Sequence, residues 1–241
     1  GFGVPMHYAI GASLISVIGT SSGSAVAFVK EGFTNVRIGM FLEIATTTGA
    51  IIGALISGIL NPNTIGIIFA SILIMTVVLN LRKKPDHQET LIEGSLEHKL
   101  QLFGTFPDKG VVKAYSARNT VSGFFMMVFA GIMSGLLGIG SGALKVLAMD
   151  NMMKLPFKVS TTTSNFMIGV TAVASSLIYF QRGEIIPVIV APVLIGVVLG
   201  SFIGSKTLIV SQTKKLKVVF AVVVGILSIY MMYNGINQNF K

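Results

Sequence analysis

The chain has 241 residues, of which 52% are hydrophobic and 11% charged, with no cysteine, no tryptophan and a formal net charge of +9. Soluble domains carry roughly 25% charged residues, so this chain has too few to cover a water-facing surface, though enough for loops between membrane spans. Disulfides, zinc–thiolate sites and thiol nucleophiles are excluded, and the basic residues sit mainly between apolar runs, as topology signals and lipid-headgroup contacts do, which argues against a nucleic-acid partner.

A helix that crosses a bilayer needs roughly 20 mostly apolar residues. Such runs lie at about 8–29, 38–60, 65–81, 119–140, 159–180, 185–205 and 217–235. None alternates as a barrel strand does. The expected fold is all-α and polytopic, with the lipid bilayer as its solvent.

The first run carries Ser13 and the hydroxyl cluster Thr20-Ser21-Ser22-Gly23-Ser24. The second carries Thr46-Thr47-Thr48, then Gly49 and Gly53, and it holds Glu43, the only acid within a clear span. An ionisable group at such a depth costs roughly 3 kcal/mol on insertion scales, so a functional role, such as proton coupling, is the default. The competing reading is a wet carboxylate about one turn from the span end, near Arg37. After the third run comes the long polar stretch 82–118. It opens on Arg82-Lys83-Lys84-Pro85 and reads as a connecting loop, with a short amphipathic helix expected over Leu91 to Leu102.

The fourth run ends on Gly138-Ile139-Gly140-Ser141-Gly142. Glycines destabilise a helix by roughly 1 kcal/mol each relative to alanine. Inside a membrane, unwound backbone survives only where it is buried in protein or lines a cavity. The functional reading is a helix break whose free N–H groups face an anion; the structural alternative is tight packing or a turn at the membrane edge. The fifth run begins Ser160-Thr161-Thr162-Thr163-Ser164-Asn165. Single hydroxyls in a span usually bond to their own i−4 carbonyl. Three clusters in matching neighbourhoods instead suggest an uncharged lining that donates hydrogen bonds to anions. The sixth run carries Gly200 and Gly204, spaced like Gly49 and Gly53; that spacing puts both glycines on one helix face, where helices pack closely.

Counting Lys and Arg by alternate connections places eleven on the side of the long loop and seven on the other, Lys145 among the seven. The positive-inside rule then puts loop 82–118 and the C-terminus in the cytoplasm. A shift of 151 residues aligns the halves without a gap: Pro5 falls on Pro156, Ser13 on Ser164, Thr20 on Thr171, and Gly49 and Gly53 on Gly200 and Gly204. The Gly-rich segment 131–147 has no counterpart after Gly1. The expectation is two parallel repeats of about four helices, the first lacking its opening helix: 1–81, the loop 82–118, and 119–241.

His7-Tyr8-Ala9-Ile10-Gly11-Ala12-Ser13-Leu14, Gly19-Thr20-Ser21-Ser22-Gly23-Ser24 and Asn35-Val36-Arg37-Ile38-Gly39-Met40-Phe41-Leu42-Glu43 resemble the sulfite exporter TauE/SafE family. So do Gly135-Leu136-Leu137-Gly138-Ile139-Gly140 and the run from Thr161 to Thr171. Ser141 and Leu147 depart from the family pattern, which usually has glycine and often proline there. The resemblance implies a permease of about eight spans in two homologous halves, linked to export of sulfite, sulfonates and related anions. The expected function is secondary transport of a small anion bound between the repeats, by Ser13, Thr20, Ser21, Ser22, Gly138, Gly140, Ser141, Gly142, Thr162, Thr163, Ser164 and Asn165. No cofactor or metal is expected, and no enzymatic activity, since no metal-ligand spacing, nucleophile–base pair or phosphate-binding Gly-x-x-x-x-Gly-Lys run occurs. The alternatives are an uncoupled channel and a non-transporting scaffold or sensor. Oligomeric state is not legible.

Overall fold

A computed structural model describes residues 4–30, 33–81, 99–108, 111–210 and 213–238. In chain order it contains α1 (Met6–Lys30), α2 (Val36–Ser57), α3 (Pro62–Leu81), a hairpin of β1 (Phe103–Asp108) and β2 (Val111–Ser116), α4 (Thr120–Leu137), α5 (Gly142–Leu147), α6 (Phe157–Gln181), α7 (Pro187–Val210) and α8 (Thr213–Ile236). A π-helical turn, Ala148–Met152, continues α5. The seven longer helices coincide with the seven apolar runs. Local chemistry sets their ends. Asn35 caps α2, its side chain accepting from the Ile38 N–H at 3.0 Å. Proline opens α3 and α7, where a missing N–H costs nothing.

Three helices, Val36–Ser57, Thr120–Leu137 and Phe157–Gln181, are long and apolar enough to cross a membrane, and Pro62–Val78, Pro187–Gly200 and Ala221–Ile236 are shorter apolar stretches. Their outward faces carry large apolar side chains such as Ile44, Leu55, Phe125, Leu177, Ile195 and Ile229. So extensive an exposed apolar surface is foreign to a water-soluble monomer.

The hairpin is a departure from the expected loop. Antiparallel pairing runs from Phe103 opposite Ser116 to Asp108 opposite Val111. It closes one end of the bundle: Leu102, Phe106, Tyr115 and Ala117 join Ile38, Leu42, Met127, Met153, Leu155 and Val159 in one apolar cluster. The amphipathic helix expected from Leu91 falls mostly outside the described residues. At the opposite end a second cluster gathers Ile10, Leu14, Ala54, Ile65, Leu136, Leu137 and Tyr179.

Helix directions follow from these ends. The backbone N–H of Asn35 donates to Thr163 Oγ1, and its side chain to the Phe103 carbonyl and the Tyr115 hydroxyl, so the α1–α2 connection and the start of α6 lie at the hairpin end. Gly11 lies against Glu184, and Ser57 bonds to Tyr179, so α1 begins, and α2 and α6 finish, at the far end. The start of α4 is also at the hairpin end, where the Arg118 N–H donates to the Met153 carbonyl. The chain therefore climbs in α4 and returns through α5 and the π-helical turn before α6 climbs again.

That return changes the expected arrangement. The helices paired by the 151-residue offset begin at Met6 and Phe157, Val36 and Pro187, and Pro62 and Thr213. Yet α1 descends toward the hairpin while α6 ascends from it. Parallel repeats are therefore not what the bundle contains. The apolar run 119–140 is not one crossing from end to end: its helix stops at Leu137 and the chain turns back beyond Gly138. Near the end of α8, Gly235 lies against Asn63 and Ile67 at the start of α3, at the end opposite the hairpin. The hairpin and the end of α8 thus lie at opposite ends of the bundle.

Candidate functional site

The break between α4 and α5 starts beside the far-end cluster, where Gly138 lies against Ile10, and is held by three seryl hydroxyls. Gly138 and Gly140 adopt left-handed backbone, with φ of 69° and 68°, a region that glycine enters without a Cβ penalty. Ser13 on α1 donates to the Gly138 carbonyl at 2.8 Å. Ser164 on α6 donates to the Gly142 carbonyl at 3.1 Å. These two serines are counterparts under the 151-residue offset, and they grip the two sides of the same break. Ser141, itself left-handed, donates to the Ala130 carbonyl of α4.

Other expected hydroxyls bond within their own helices. Thr20 donates to the Ser16 or Val17 carbonyl, Ser22 to that of Ile18, and Thr162 to that of Lys158 or Val159. Thr163 accepts from Asn35 near the hairpin, and Asn165 is half-buried. Ser21 is buried beside Gly169. With Ile18, Ser22, Phe166, Val170 and Val173 it lines a cleft of about 310 Å³ between α1 and α6.

Between the two apolar clusters lies a polar layer that includes a pair of charges. Glu43 on α2 is 5% exposed and Lys145 on α5 is 0% exposed. Thr171 on α6 joins them: the Lys145 ammonium donates to Thr171 Oγ1 at 2.5 Å, and that oxygen lies 2.7 Å from Glu43 Oε1. The Thr171 hydroxyl has one hydrogen, and the carboxylate is a stronger acceptor than the Met167 carbonyl, which is also in reach. Thr47 donates to the same Glu43 oxygen at 2.9 Å. Glu43 Oε2 and the fully buried Ser134 hydroxyl have no hydrogen-bond partner among the described residues. The wet, end-of-span reading of Glu43 is thereby excluded. Lys145 was missed because it had been counted among loop cations. Its signal was present, a single ammonium inside the apolar run from Gly142 to Met149. Thr171 is 128 residues from Glu43, and nothing local connects them.

Gly49 and Gly53 face α4, where Gly131 and Gly135 answer them. A Cβ on Gly49 or Gly53 would sit 2.2 Å from the Val128 carbonyl oxygen or 2.0 Å from that of Ile132. A Cβ on Gly131 or Gly135 would sit 2.2 Å from the Thr46 oxygen or 1.9 Å from that of Ala50. A Cβ on Gly200 would meet nothing within 4 Å among the described residues, and Gly204 lies beyond the part of α7 whose surroundings are described. At the far end Arg182 donates to the Ala54 carbonyl and Ser57, stacks 4.9 Å from the Tyr179 ring centroid and pairs with Glu184 at 3.8 Å. No group of three or more metal-ligating side chains occurs among the described residues.

The family model for the sulfite exporter TauE/SafE matches residues 1–231. The chain is 27% identical to the probable membrane transporter protein YunE of Bacillus subtilis (strain 168), over 97% of this chain and 83% of that one. It is 24% identical to the probable membrane transporter protein YdhB of the same organism, over 85% of this chain and 76% of that one. No solved structure matches the chain.

Proposed function

The chain belongs to the sulfite exporter TauE/SafE family, and from that premise we propose that it is a secondary transporter of small anions, with sulfite, sulfonates and related sulfur oxyanions as the leading substrates. The observation that carries this reading is the polar layer. It joins a glycine break to a buried lysine between two apolar clusters, and it is reached by helices from both parts of the chain. Transporter folds commonly place their sites at such a juncture of broken helices. The equal 151-residue spacing of three helix starts, combined with opposite directions, supports two inverted repeats. Serines 13 and 164, placed symmetrically on the break, would hold it in register while solute binds, and Glu43 is the candidate for proton coupling.

Orientation follows from the positions of the cations. Arg37, Lys99, Lys113, Arg118, Lys154 and Lys158 lie in segments at the hairpin end, and Lys214, Lys215 and Lys217 fall in the first turns of α8 at that end. At the opposite end Arg182 is the one Lys or Arg among the described residues. The positive-inside rule puts the hairpin in the cytoplasm and the C-terminus across the membrane from it.

The test is uptake into proteoliposomes holding the full chain, with sulfite, sulfoacetate, sulfate and phosphate offered with and without a pH gradient. Saturable uptake of at least one anion, driven above equilibrium by the gradient, is expected. Flux that only equilibrates marks a channel, and no movement of any of them overturns the reading.

A further inference from the structure

Two charges in the polar layer are each short of partners. An ammonium carries three N–H donors, and Thr171 is the hydrogen-bond acceptor that Lys145 reaches. Glu43 Oε2 is buried and accepts no hydrogen bond among the described residues. Their elements bring in no further charge that neutralises either one. Helix α4 carries no ionisable residue. On α6, Lys158 is exposed near the hairpin, and Tyr179 is occupied at the far end with Ser57 and the Gly135 carbonyl. On α2, Arg37 is exposed and bonded to Gln101. Asp150, buried in the π-helical turn, lies on the same segment as Lys145, five residues on. The pair is thus an ammonium and a carboxylate that meet on one hydroxyl, with capacity left on both.

We propose that Lys145 is the counter-charge of the transported anion, and that Glu43 takes that place when no anion is bound. Binding is then an exchange. The anion approaches the ammonium, Glu43 binds a proton from solution, and its new O–H becomes a donor where the carboxylate was an acceptor. Before binding, one positive and one negative side chain sum to zero. After binding of a monoanion, the ammonium and the anion again sum to zero beside a neutral acid. One proton and one anion therefore enter together without net charge. The ligand class is a small oxyanion, whose oxygens accept from Lys145 and from protonated Glu43. A metal cation is disfavoured because it would meet the Lys145 ammonium first. The Thr171 hydroxyl serves as the hinge of the exchange, since it accepts from Lys145 and can donate to Glu43 or to the Met167 carbonyl at 2.8 Å. A carboxylate that loses its partner in a dry site is strongly disfavoured, and this disfavours anion entry without the proton.

This inference rests on the transporter reading, and calorimetry on the detergent-solubilised full chain separates the two. Methanesulfonate is the probe, because its charge does not change with pH. Titration in two buffers of different ionisation enthalpy reports protons taken up per anion. The wild type is expected to take up one. Glu43→Gln leaves Lys145 without its internal partner; it is expected to bind at least tenfold more tightly at neutral pH, with no proton uptake. Lys145→Gln combined with Glu43→Gln removes both charges, so no lone buried charge disrupts folding, and it is expected to stay folded and lose methanesulfonate binding. Binding without proton uptake in the wild type, unchanged affinity in Glu43→Gln, or binding retained by the double variant each overturns the exchange. If the wild type moves any of the four anions in proteoliposomes yet one of these results holds, the exchange alone fails. If it neither transports those anions nor binds methanesulfonate, both readings fail.

Discussion

Ser13 and Ser164 show how a single hydroxyl decides a local structure. Each donates to a carbonyl beside the glycine break rather than to its own helix. Removing one leaves a carbonyl short of a donor, at a net cost of about 1 kcal/mol. Ser13→Ala and Ser164→Ala are therefore expected to lower thermal stability by similar amounts, and the double variant by about their sum. Ser22→Ala, whose hydroxyl bonds to the Ile18 carbonyl within its own helix, is expected to change stability little; melting curves in one detergent distinguish these outcomes. Tyr115 outside the membrane gives a pH handle. Burial pushes its hydroxyl above the usual 10.0, and the Asn35 hydrogen bond offsets part of this. The folded state thus holds the Tyr115 proton more tightly than the unfolded chain. Its contribution is intact below pH 10 and is lost as pH rises through the folded value. Denaturation curves above pH 10 are expected to lose less stability in Tyr115→Phe than in the wild type.

At the scale of elements, the crossing of α2 and α4 is set by four glycines. Carbonyl oxygens sit where each Cβ would go, so no rotamer change relieves a substitution. Gly53→Leu or Gly135→Leu must push the helices apart and is expected to cost at least the 1–3 kcal/mol typical of overpacking. At Gly200 a Cβ would meet nothing within 4 Å among the described residues, so Gly200→Leu is expected to be tolerated, as yields of folded protein after solubilisation will show. The Gly49–Gly53 spacing was visible in the sequence, but its partner stripe on α4 was not, because Gly131 and Gly135 were read only as part of the Gly-rich segment 131–147 that lacks a counterpart. The hairpin was missed for another reason. Pro107 lies inside β1, which argues against a strand, and an isolated two-stranded hairpin is marginal in water. Leu102, Phe106 and Tyr115 packing on the helix ends give this one its stability.

For the molecule as a whole, the cation distribution and helix directions predict a testable topology. The chain has no cysteine, so single replacements at exposed Thr105 in the hairpin and exposed Asn237 after α8 report cleanly. An impermeant maleimide is expected to label Thr105→Cys only in inside-out vesicles and Asn237→Cys only in right-side-out ones. Labelling of both from one face would restore the arrangement expected from the sequence.

Apolar run length alone located the long helices among the described residues, because a bilayer demands some twenty apolar residues of a helix that crosses it. The glycine break and the isolated acid at Glu43 were equally plain, since each violates what a lipid-facing helix tolerates. Direction and partnership were decided only in three dimensions. A return through eleven residues of α5 and its π-helical turn is too short to register as a span, yet it reverses one set of helices against the other. That reversal carries Lys145 from a supposed loop to the centre of the bundle. There Thr171 joins it to Glu43, because burial forces two charges distant in sequence to find each other.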